Sequence, residues 1–159
     1  MPKIDRKLIS KKADIVVDLK KIIKAENILD HEDQIRPFET DALSAYKQKP
    51  LIVVFPENTK EVSKILAYCN QERIKVVPRG AGTGLSGGAL PLEDCVLLCL
   101  GKFNKIINID YKNRCVVAQT GVTNLSITQA VEHKGFYYAP DPSSQIACSI
   151  GGNVAENSG

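Results

Sequence analysis

The sequence has few of the side chains that form metal or nucleophilic centres. It contains two histidines, His31 and His133, and each lies in a polar segment without the neighbours that such a centre needs. The cysteines are odd in number, form no CxxC pair and lie mostly in apolar runs, where a thiol acts as a small hydrophobic side chain. There are five of them: Cys69, Cys95, Cys99, Cys115 and Cys148. We therefore predict no catalytic residue and no metal site in this chain.

Long apolar runs and a strong net charge are also absent. No stretch of about 18 apolar residues occurs, so no segment is expected to span a bilayer, and the first residues lack the apolar core of a signal peptide. The formal net charge of +3 is too small to indicate a nucleic-acid partner. With 43% hydrophobic and 25% charged residues, we expect a cytoplasmic protein with one domain, or one domain and a small appendage.

Residues 6–29 are predicted to form one amphipathic helix. Lysines and arginines crowd this part of the chain, and we interpret them as the solvated face of the helix rather than as a surface for an anionic partner. The opposite, apolar stripe consists of Ile15, Val16, Leu19, Ile22 and Ile23. A polar, irregular stretch follows, and a domain boundary is predicted near Lys49, which leaves residues 1–48 as an amino-terminal helical segment.

The next part of the chain has the pattern of a parallel βαβ unit. Residues 51–55 are an apolar, β-branched run, typical of a strand buried on both faces. A helix begins at Asn58 or Thr59, because Asn58 and Glu61 have capping-box spacing, and residues 75–78 form the next strand. The apolar face of this helix is predicted at Val62, Ile65, Leu66 and Cys69. Strand, helix and strand at this spacing predict two parallel strands.

Further strands are predicted at residues 95–100, 106–109 and 115–119. A short helix begins at Thr123 and ends at Gly135, and its inward face is predicted at Ile127, Ala130 and Val131. The predicted fold class is α+β: an amino-terminal helix, a small parallel βαβ subdomain, and the start of a second, mixed or antiparallel sheet.

A glycine-rich loop at residues 79–88 is the clearest candidate site. It holds five of the eleven glycines of the chain. Gly80, Gly82 and Gly84 allow positive φ and close approach to a ligand, so that successive N–H groups can form a concave anion nest for a phosphate. Thr83 and Ser86 add hydroxyl donors. Arg79 either contacts a phosphate or pairs with a carboxylate, and the sequence does not decide between these.

The sequence after the loop excludes the two common nucleotide motifs. A Rossmann fingerprint needs glycine or alanine at position 85, followed by a helix, whereas Leu85 is followed by Pro91 and a strand. A Walker loop needs a lysine that is not present. The phosphates are therefore expected to contact loop amides without a helix amino terminus behind them. A second glycine-rich turn, at Gly151 and Gly152, is expected to face this loop across a cleft.

Three segments together resemble a known family. They are PRGAGTGLSGGALP at 78–91, APDPSS at 139–144 and SIGGN at 149–153. Their order resembles the FAD-linked oxidases of the vanillyl-alcohol oxidase and p-cresol methylhydroxylase (PCMH) type. Within that family the likeness is greatest to the branch that contains the flavin subunit of glycolate oxidase and the D-lactate and D-2-hydroxyglutarate dehydrogenases, and it runs from Pro37 to Gly159.

This resemblance implies that FAD (flavin adenine dinucleotide) is the cofactor and assigns its contacts. Residues 49–159 are then a PCMH-type FAD-binding domain, incomplete at the carboxyl end. The pyrophosphate contacts are Arg79, Gly80, Ala81, Gly82, Thr83, Gly84, Leu85 and Ser86. The contacts towards the flavin ring are Pro142, Ser143, Ser144, Ser149, Ile150, Gly152 and Asn153. Gly121 is assigned to the adenosine half. Some relatives attach FAD through a histidine in the loop; Ala81 and the absence of a nearby histidine imply non-covalent binding.

The implied function is the oxidation of a 2-hydroxy acid, of the glycolate or D-lactate type, by hydride transfer to FAD. The resemblance also implies a second flavin subunit and an iron–sulfur subunit as partners, and a cytoplasmic location that is peripheral to the inner membrane through them. No base or carboxylate-binding group for the substrate is identified in these residues, so the chain alone is expected to be inactive. The alternatives are a truncated, non-catalytic nucleotide-binding fragment, or another FAD enzyme of the same fold.

Overall fold

The computed structural model describes residues 3–158, which form two β-sheets with helices packed around them. The four-stranded sheet has the order β1-β2-β4-β3, and β5 and β6 form a separate two-stranded sheet. The strands are β1 (Ile28–Leu29), β2 (Ile52–Val54), β3 (Lys75–Arg79), β4 (Cys95–Cys99), β5 (Ile106–Asp110) and β6 (Cys115–Ala118). The α-helices are α1 (Arg6–Ser10), α2 (Lys12–Leu19), α3 (Glu32–Ile35), α4 (Thr59–Gln71), α5 (Asn124–Val131) and α6 (Ile150–Glu156). The predicted domain end at Gly159 lies outside the described residues.

The predicted parallel βαβ unit is present, but its two strands are not neighbours. Strands β2 and β3 both pair in parallel with β4, which lies between them, with Val53 and Val77 opposite Leu97. The prediction that the 95–100 strand starts the second sheet is therefore wrong. Every residue of β4 is buried, and a strand that is buried on both faces belongs in the centre of a parallel sheet. The second sheet is the antiparallel β5–β6 hairpin, so the α+β class is confirmed.

The predicted single helix over residues 6–29 is wrong. Two short helices, α1 and α2, meet at Lys11, whose φ and ψ of −91° and 8° are not helical. After α2 the chain turns, and Ile28 and Leu29 pair antiparallel with β2 at the edge of the large sheet. Ile28 is β-branched and packs well in a strand. Its pairing with β2 is more favourable here than a continued helix would be. The apolar stripe itself is confirmed for Ile15, Val16, Leu19 and Ile23, which are buried, with Ile22 half-buried.

The capped helix α4 begins where the sequence predicts. The Asn58 side chain accepts a hydrogen bond from the Glu61 N–H at 3.0 Å and donates to the Glu61 carboxylate at 2.9 Å, so the capping pair is reciprocal. Ile65 and Cys69 are buried as predicted, whereas Leu66 is 44% exposed. Leu66 lies one residue, about 100° of helix rotation, beyond Ile65, which carries its side chain off the buried face.

Helix α5 follows the predicted cap at Thr123, and the 3₁₀ turn that extends it ends at the predicted Gly135. The Thr123 hydroxyl accepts a hydrogen bond from the Ser126 N–H at 3.1 Å, and a 3₁₀ turn at Glu132–Lys134 leads to Gly135, whose φ is 76°. A left-handed residue at this position is a common helix end, and glycine adopts it without steric cost. Ile127 and Val131 are buried and Ala130 is half-buried.

The amino-terminal segment packs on the same core as the large sheet. Ile15 and Leu19 of α2 share one buried cluster with Ile52 of β2 and Ile65 of α4. Residues on both sides of position 49 thus pack in the same buried cluster. The domain boundary near residue 49 stays a prediction. No helix among residues 3–158 is both long and apolar enough to cross a membrane.

An ion pair is buried at the amino ends of β3 and β4. The fully buried Asp94 carboxylate accepts hydrogen bonds from Lys75 Nζ at 2.7 Å and from the Asp5 N–H at 2.6 Å. Burial favours the neutral acid, but these two donors and the charge of Lys75 outweigh it and lower the pKa of Asp94 below its usual range. The pair joins the amino-terminal segment to the end of the sheet opposite the glycine-rich loop.

Candidate functional site

The glycine-rich loop follows β3 directly, at the carboxyl end of the parallel strands. It forms one wall of a cavity of about 680 Å³, and residues 142–158 form the opposite wall. Ligands of parallel α/β sheets bind outside the carboxyl ends of the strands, and this volume lies within the range of small-molecule sites. The expectation that the two glycine-rich segments face each other is therefore met by the structure.

The loop uses its glycines in two different ways. Gly82 and Gly87 have φ values of 74° and 80°, a region that side-chain-bearing residues rarely adopt. Gly80 and Gly84 do not have positive φ, although the sequence allows it. Gly80 lies so close to the Ser149 hydroxyl that a side chain would collide with it. Glycine is therefore required at position 80 by close approach, and at position 82 by backbone conformation.

The loop presents unpaired hydrogen-bond donors. Within residues 3–158, none of the backbone N–H groups from Gly80 to Ala89 donates to a protein acceptor, and Leu90 is the first that does, to Gly87 O at 3.1 Å. The Thr83 hydroxyl forms no hydrogen bond with this part of the protein either. N–H groups without a protein acceptor remain free to donate to water or to a ligand. The loop is therefore suited to a ligand with several acceptor oxygens.

Arg79 supports the loop from beneath. Its Nη1 donates to Thr40 O at 2.8 Å and to Ala89 O at 3.4 Å, and its guanidinium carbon lies 5.8 Å from the centre of the Phe38 ring. A side chain on Gly82 would collide with this guanidinium. The sequence left two roles open for Arg79, a contact with a phosphate or a pair with a carboxylate. Among the described residues Arg79 pairs with no carboxylate. Its contact with a phosphate stays a prediction.

The predicted turn at Gly151 and Gly152 is instead the first turn of α6. The Ser149 hydroxyl caps this helix by accepting a hydrogen bond from the Gly152 N–H at 3.4 Å. At Gly151 a side chain would lie 2.7 Å from Thr120 Cβ and 2.8 Å from Thr120 O. The turn prediction was wrong because a paired glycine is typical of a loop, whereas here Gly151 permits close packing of a helix on the chain at Thr120.

The cavity therefore does have a helix amino end in its wall. The segment that directly follows the loop is not helical, as predicted, and leads into β4. The first turn of α6 lies across the cavity from the loop. The expectation that no helix amino terminus lies behind the loop is met by the segment that follows it, and the start of α6 is an additional feature of the opposite wall.

A buried amide network holds the second wall. Asn124 at the start of α5 donates to Pro140 O at 3.2 Å and accepts from Asn153 Nδ2 at 2.6 Å. The Cys148 thiol lies 3.6 Å from the same Asn124 oxygen. Nearby, the Leu125 N–H donates to Gln145 O at 3.1 Å. The amino end of α5 thereby positions the whole segment from residue 140 to α6.

Most of the predicted contact residues line this one cavity. They are Arg79, Gly80, Ala81, Gly82, Thr83, Gly84, Leu85, Ser86, Pro142, Ser143, Ser144, Ser149, Gly152 and Asn153. Gly121 and Ile150 do not line it. Gly121 is held against the backbone instead, where a side chain would lie 2.5 Å from Leu100 O. Whether any of these residues contacts a cofactor stays a prediction.

Several lining residues were not predicted. They are Pro78, Gly88, Ala89, Leu100, Thr120, Cys148, Gly151, Ala155, Glu156 and Ser158. Gly88 and Ala89 continue the loop motif and Gly151 lies in the second glycine pair, so their positions in the sequence signal a role. Glu156 and Thr120 carry no such signal, because a polar residue on a short helix or in a turn is ordinarily solvated.

The site is suited to binding rather than to acid–base chemistry. Its charged side chains among the described residues are Arg79, which is held by backbone carbonyls, and Glu156, whose carboxylate accepts from the Ser86 hydroxyl. Behind the loop, burial raises the pKa of the Cys99 thiol to about 12, so that this thiol stays protonated and unreactive at neutral pH.

Comparison with known proteins identifies similar sequences. A family model described as "FAD binding domain" matches residues 50–159. The chain is 50% identical over its whole length to the glycolate oxidase subunit GlcD of Escherichia coli K12, and covers 31% of that protein. It is 37% identical over 87% of its length to a D-lactate dehydrogenase of Anaerostipes hadrus, and covers 29% of that protein. The chain thus spans about a third of the length of these relatives.

Solved structures with the same fold are also found. P-cresol methylhydroxylase with substrate bound superimposes with a TM-score of 0.79 at 21% identity, over 98% of this chain and 30% of that one. A 4-ethylphenol oxidase of Gulosibacter chungangensis has a TM-score of 0.77 at 25% identity, over 91% and 28% of the two chains. The first of these likenesses, at such low identity, concerns the fold alone.

Proposed function

We propose that this chain, which belongs to the FAD binding domain family, holds the pyrophosphate of FAD in its glycine-rich loop and serves as the cofactor-binding part of a 2-hydroxy acid oxidoreductase. The observation that carries the proposal is the row of N–H groups from Gly80 to Ala89, which have no acceptor within residues 3–158 and most of which belong to residues that border the cavity. A pyrophosphate supplies acceptor oxygens to such a nest.

The residues present fit a dinucleotide that carries a pyrophosphate. Gly82 and Gly87 give the loop its concave course through positive φ, and Gly80 lets it approach Ser149 on the other wall. Ser143 and Ser144 line that wall. We assign the pyrophosphate to the loop and the path towards the flavin ring to residues 142–153, with Gly121 supporting the adenosine side.

The absence of histidine from the loop supports non-covalent binding, which we propose. Both histidines of the chain, His31 and His133, are exposed and neither lines the cavity. The loop offers no other side chain that is suited to forming a bond to the flavin. The chain's contribution is therefore to bind and orient FAD, which when bound supplies the hydride acceptor for the oxidation.

The substrate class rests on the relatives. The glycolate oxidase subunit and the D-lactate dehydrogenase have names that specify 2-hydroxy acids. Of the two charged side chains that line the cavity among residues 3–158, Arg79 donates to backbone carbonyls and Glu156 accepts from the Ser86 hydroxyl. We propose that the base and the carboxylate-binding groups for the substrate come from outside this cavity. We propose the activity for an enzyme in which this chain is the FAD-binding part.

The proposed multi-subunit assembly is supported by the same relatives, and the proposed location is the expectation from the sequence. The name of GlcD describes a subunit, which supports a multi-subunit enzyme. We propose a second flavin subunit and an iron–sulfur subunit as its partners, because reduced FAD must pass its electrons on. The proposed location is the cytoplasm, with attachment to the inner membrane through those partners.

One observation favours the alternative of a weak, non-catalytic nucleotide-binding fragment. Leu85, which lines the cavity, is 73% exposed. An exposed apolar side chain at a binding cleft is consistent with a surface that another part of a protein covers. In this alternative the 159 residues bind FAD weakly, because part of the contact surface is absent.

The experiment that tests the proposed activity follows the flavin absorbance of the native polypeptide that contains this chain. Under anaerobic conditions, glycolate, D-lactate and D-2-hydroxyglutarate are added in turn, with L-lactate as the stereochemical control. The proposal predicts bleaching near 450 nm by at least one of the first three acids, since that is where oxidised flavin absorbs. Bleaching by none of the three acids while FAD stays bound contradicts the substrate assignment and leaves FAD binding intact.

A further inference from the structure

Glu156 places a negative charge inside the glycine-rich loop. It is the last residue of α6, and its Oε2 accepts a hydrogen bond from the Ser86 hydroxyl at 2.5 Å. Its carboxyl carbon lies 3.9 Å from the position that a side chain on Gly84 would take, and its Oε1 fills the position of a side chain on Gly88. The carboxylate therefore lies beside Gly84, Ser86 and Gly88.

No cation among the described residues neutralises this carboxylate. It belongs to none of the ion pairs found between residues 3 and 158, and Arg79, the basic residue of the cavity, is held by Thr40 O and Ala89 O. Glu156 also lies in the last turn of a helix, where the helix dipole disfavours a negative charge. Its partner is thus the hydroxyl of Ser86, in a loop of unpaired N–H groups.

A carboxylate and a phosphate have the same requirements in such a loop. Both are anions whose oxygens accept hydrogen bonds from hydroxyl and N–H donors. Two anions a few ångströms apart in a partly buried site repel each other. Glu156 and a pyrophosphate therefore compete for the Ser86 hydroxyl and repel each other beside it, and the exposed position of the Glu156 side chain lets it leave the loop.

We propose that Glu156 is an internal competitor for the anion site of the glycine-rich loop and that it sets the affinity for the cofactor. In the cofactor-free chain its carboxylate occupies the loop at Ser86. The pyrophosphate displaces it on binding, so Glu156 lowers the affinity. This inference rests on the proposed FAD function of the same loop.

The first test measures binding of inorganic pyrophosphate and of FAD to the 159-residue chain by isothermal titration. Glu156→Gln removes the charge and keeps the size and the acceptor oxygen. The expected result is roughly tenfold tighter binding of both probes at low salt, and a smaller gain at about 0.5 M salt, because ions screen a repulsion at the surface. Glu132→Gln, in the 3₁₀ turn after α5 and outside the cavity, is the matched control and should bind as the wild type does.

The second test measures the coupling of Ser86 and Glu156 by a double-mutant cycle of Ser86→Ala and Glu156→Ala in thermal unfolding. The expected coupling is present without ligand and absent at saturating pyrophosphate. Coupling that persists at saturation shows a fixed bridge and overturns the proposal. The proposal is also overturned if Glu156→Gln binds pyrophosphate no more tightly than the wild type does. It is overturned as well if neither the wild type nor Glu156→Gln binds pyrophosphate. If pyrophosphate binds as expected but FAD does not bind, the result counts against the FAD function and not against the role of Glu156.

Discussion

Asn124 and Asn153 are joined by a buried side-chain hydrogen bond of 2.6 Å that ties the start of α5 to α6. The other end of the Asn124 amide donates to Pro140 O, so a single side chain is bonded to both ends of the second cavity wall. The residue is 1% exposed, and an unpaired amide or carbonyl at such a depth is costly. The second wall is therefore held by a polar contact within the core rather than by the loop residues themselves.

Asn124→Ala is expected to lower both stability and FAD affinity. It leaves Pro140 O and Asn153 Nδ2 without partners, and a buried unsatisfied group costs about 1–3 kcal/mol. Thermal unfolding and FAD titration measure the two effects. Gln129→Ala, at an exposed position of the same helix, is the control. Equal melting temperatures of the two variants would contradict the role assigned to Asn124.

Gly151→Ala is expected to destabilise the chain by about 1–3 kcal/mol, the usual cost of overpacking. The added methyl group would lie 2.7 Å from Thr120 Cβ and 2.8 Å from Thr120 O, and backbone atoms cannot move aside as a flexible side chain can. Gly101→Ala meets no atom within 4 Å and should leave stability almost unchanged. Chemical denaturation of both variants checks the prediction, which fails if Gly151→Ala is the milder change.

Arg79→Lys is expected to weaken FAD binding about tenfold, or roughly 1.4 kcal/mol, although it keeps the positive charge. Lysine lacks the planar fork of arginine and so cannot reach Thr40 O and Ala89 O together while stacking near Phe38. The loop should then lose its fixed course at Gly82. Arg36→Lys, at an exposed position, serves as the control in the same titration. Unchanged affinity of Arg79→Lys would show that charge alone matters there.

Asp94→Asn is expected to lower the free energy of unfolding by about 3 kcal/mol at neutral pH, the low end for breaking a buried ion pair, because Lys75 remains partly exposed. The folded-state pKa of Asp94 lies below its usual value of 3.8. The contribution of the pair is therefore complete above about pH 3.8 and is lost as the pH falls through the folded pKa.

The difference between wild type and Asp94→Asn should accordingly be constant from neutral pH down to about pH 4 and shrink below it. Denaturation at a series of pH values measures it. Asp14→Asn, an exposed acid on α2, should show no such dependence. A difference that grows on acidification would mean that Asp94 is protonated in the folded chain.

The sequence predicts best what depends on neighbouring residues. The cap at Asn58, the helical end at Gly135 after the 3₁₀ turn and the loop from Arg79 to Ser86 all follow from local patterns, and the structure has them where they were predicted. Each involves residues within a few positions of one another, so the physical requirement is visible in a short stretch of chain.

The sequence predicts least what depends on distant pairing. The apolar run of β4 shows that the strand is buried on both faces, but not that it lies between β2 and β3. Asn124 and Asn153 are 29 residues apart and Ser86 and Glu156 are 70 apart. A polar residue on a helix gives no sign of a distant partner, because the same residue is ordinarily solvated.

The most direct test of the central claim is equilibrium titration of FAD into the purified chain, beside Gly82→Ala and Gly101→Ala. Alanine at position 82 would have to adopt a φ of 74° and would collide with the Arg79 guanidinium, so the loop could not keep its course. We expect saturable binding by the wild type and by Gly101→Ala, with release of FAD on denaturation. Gly82→Ala should bind FAD at least about tenfold more weakly, a loss of roughly 1.4 kcal/mol. No saturable binding by the wild type, or equal affinity of Gly82→Ala, would contradict the claim that this loop holds FAD.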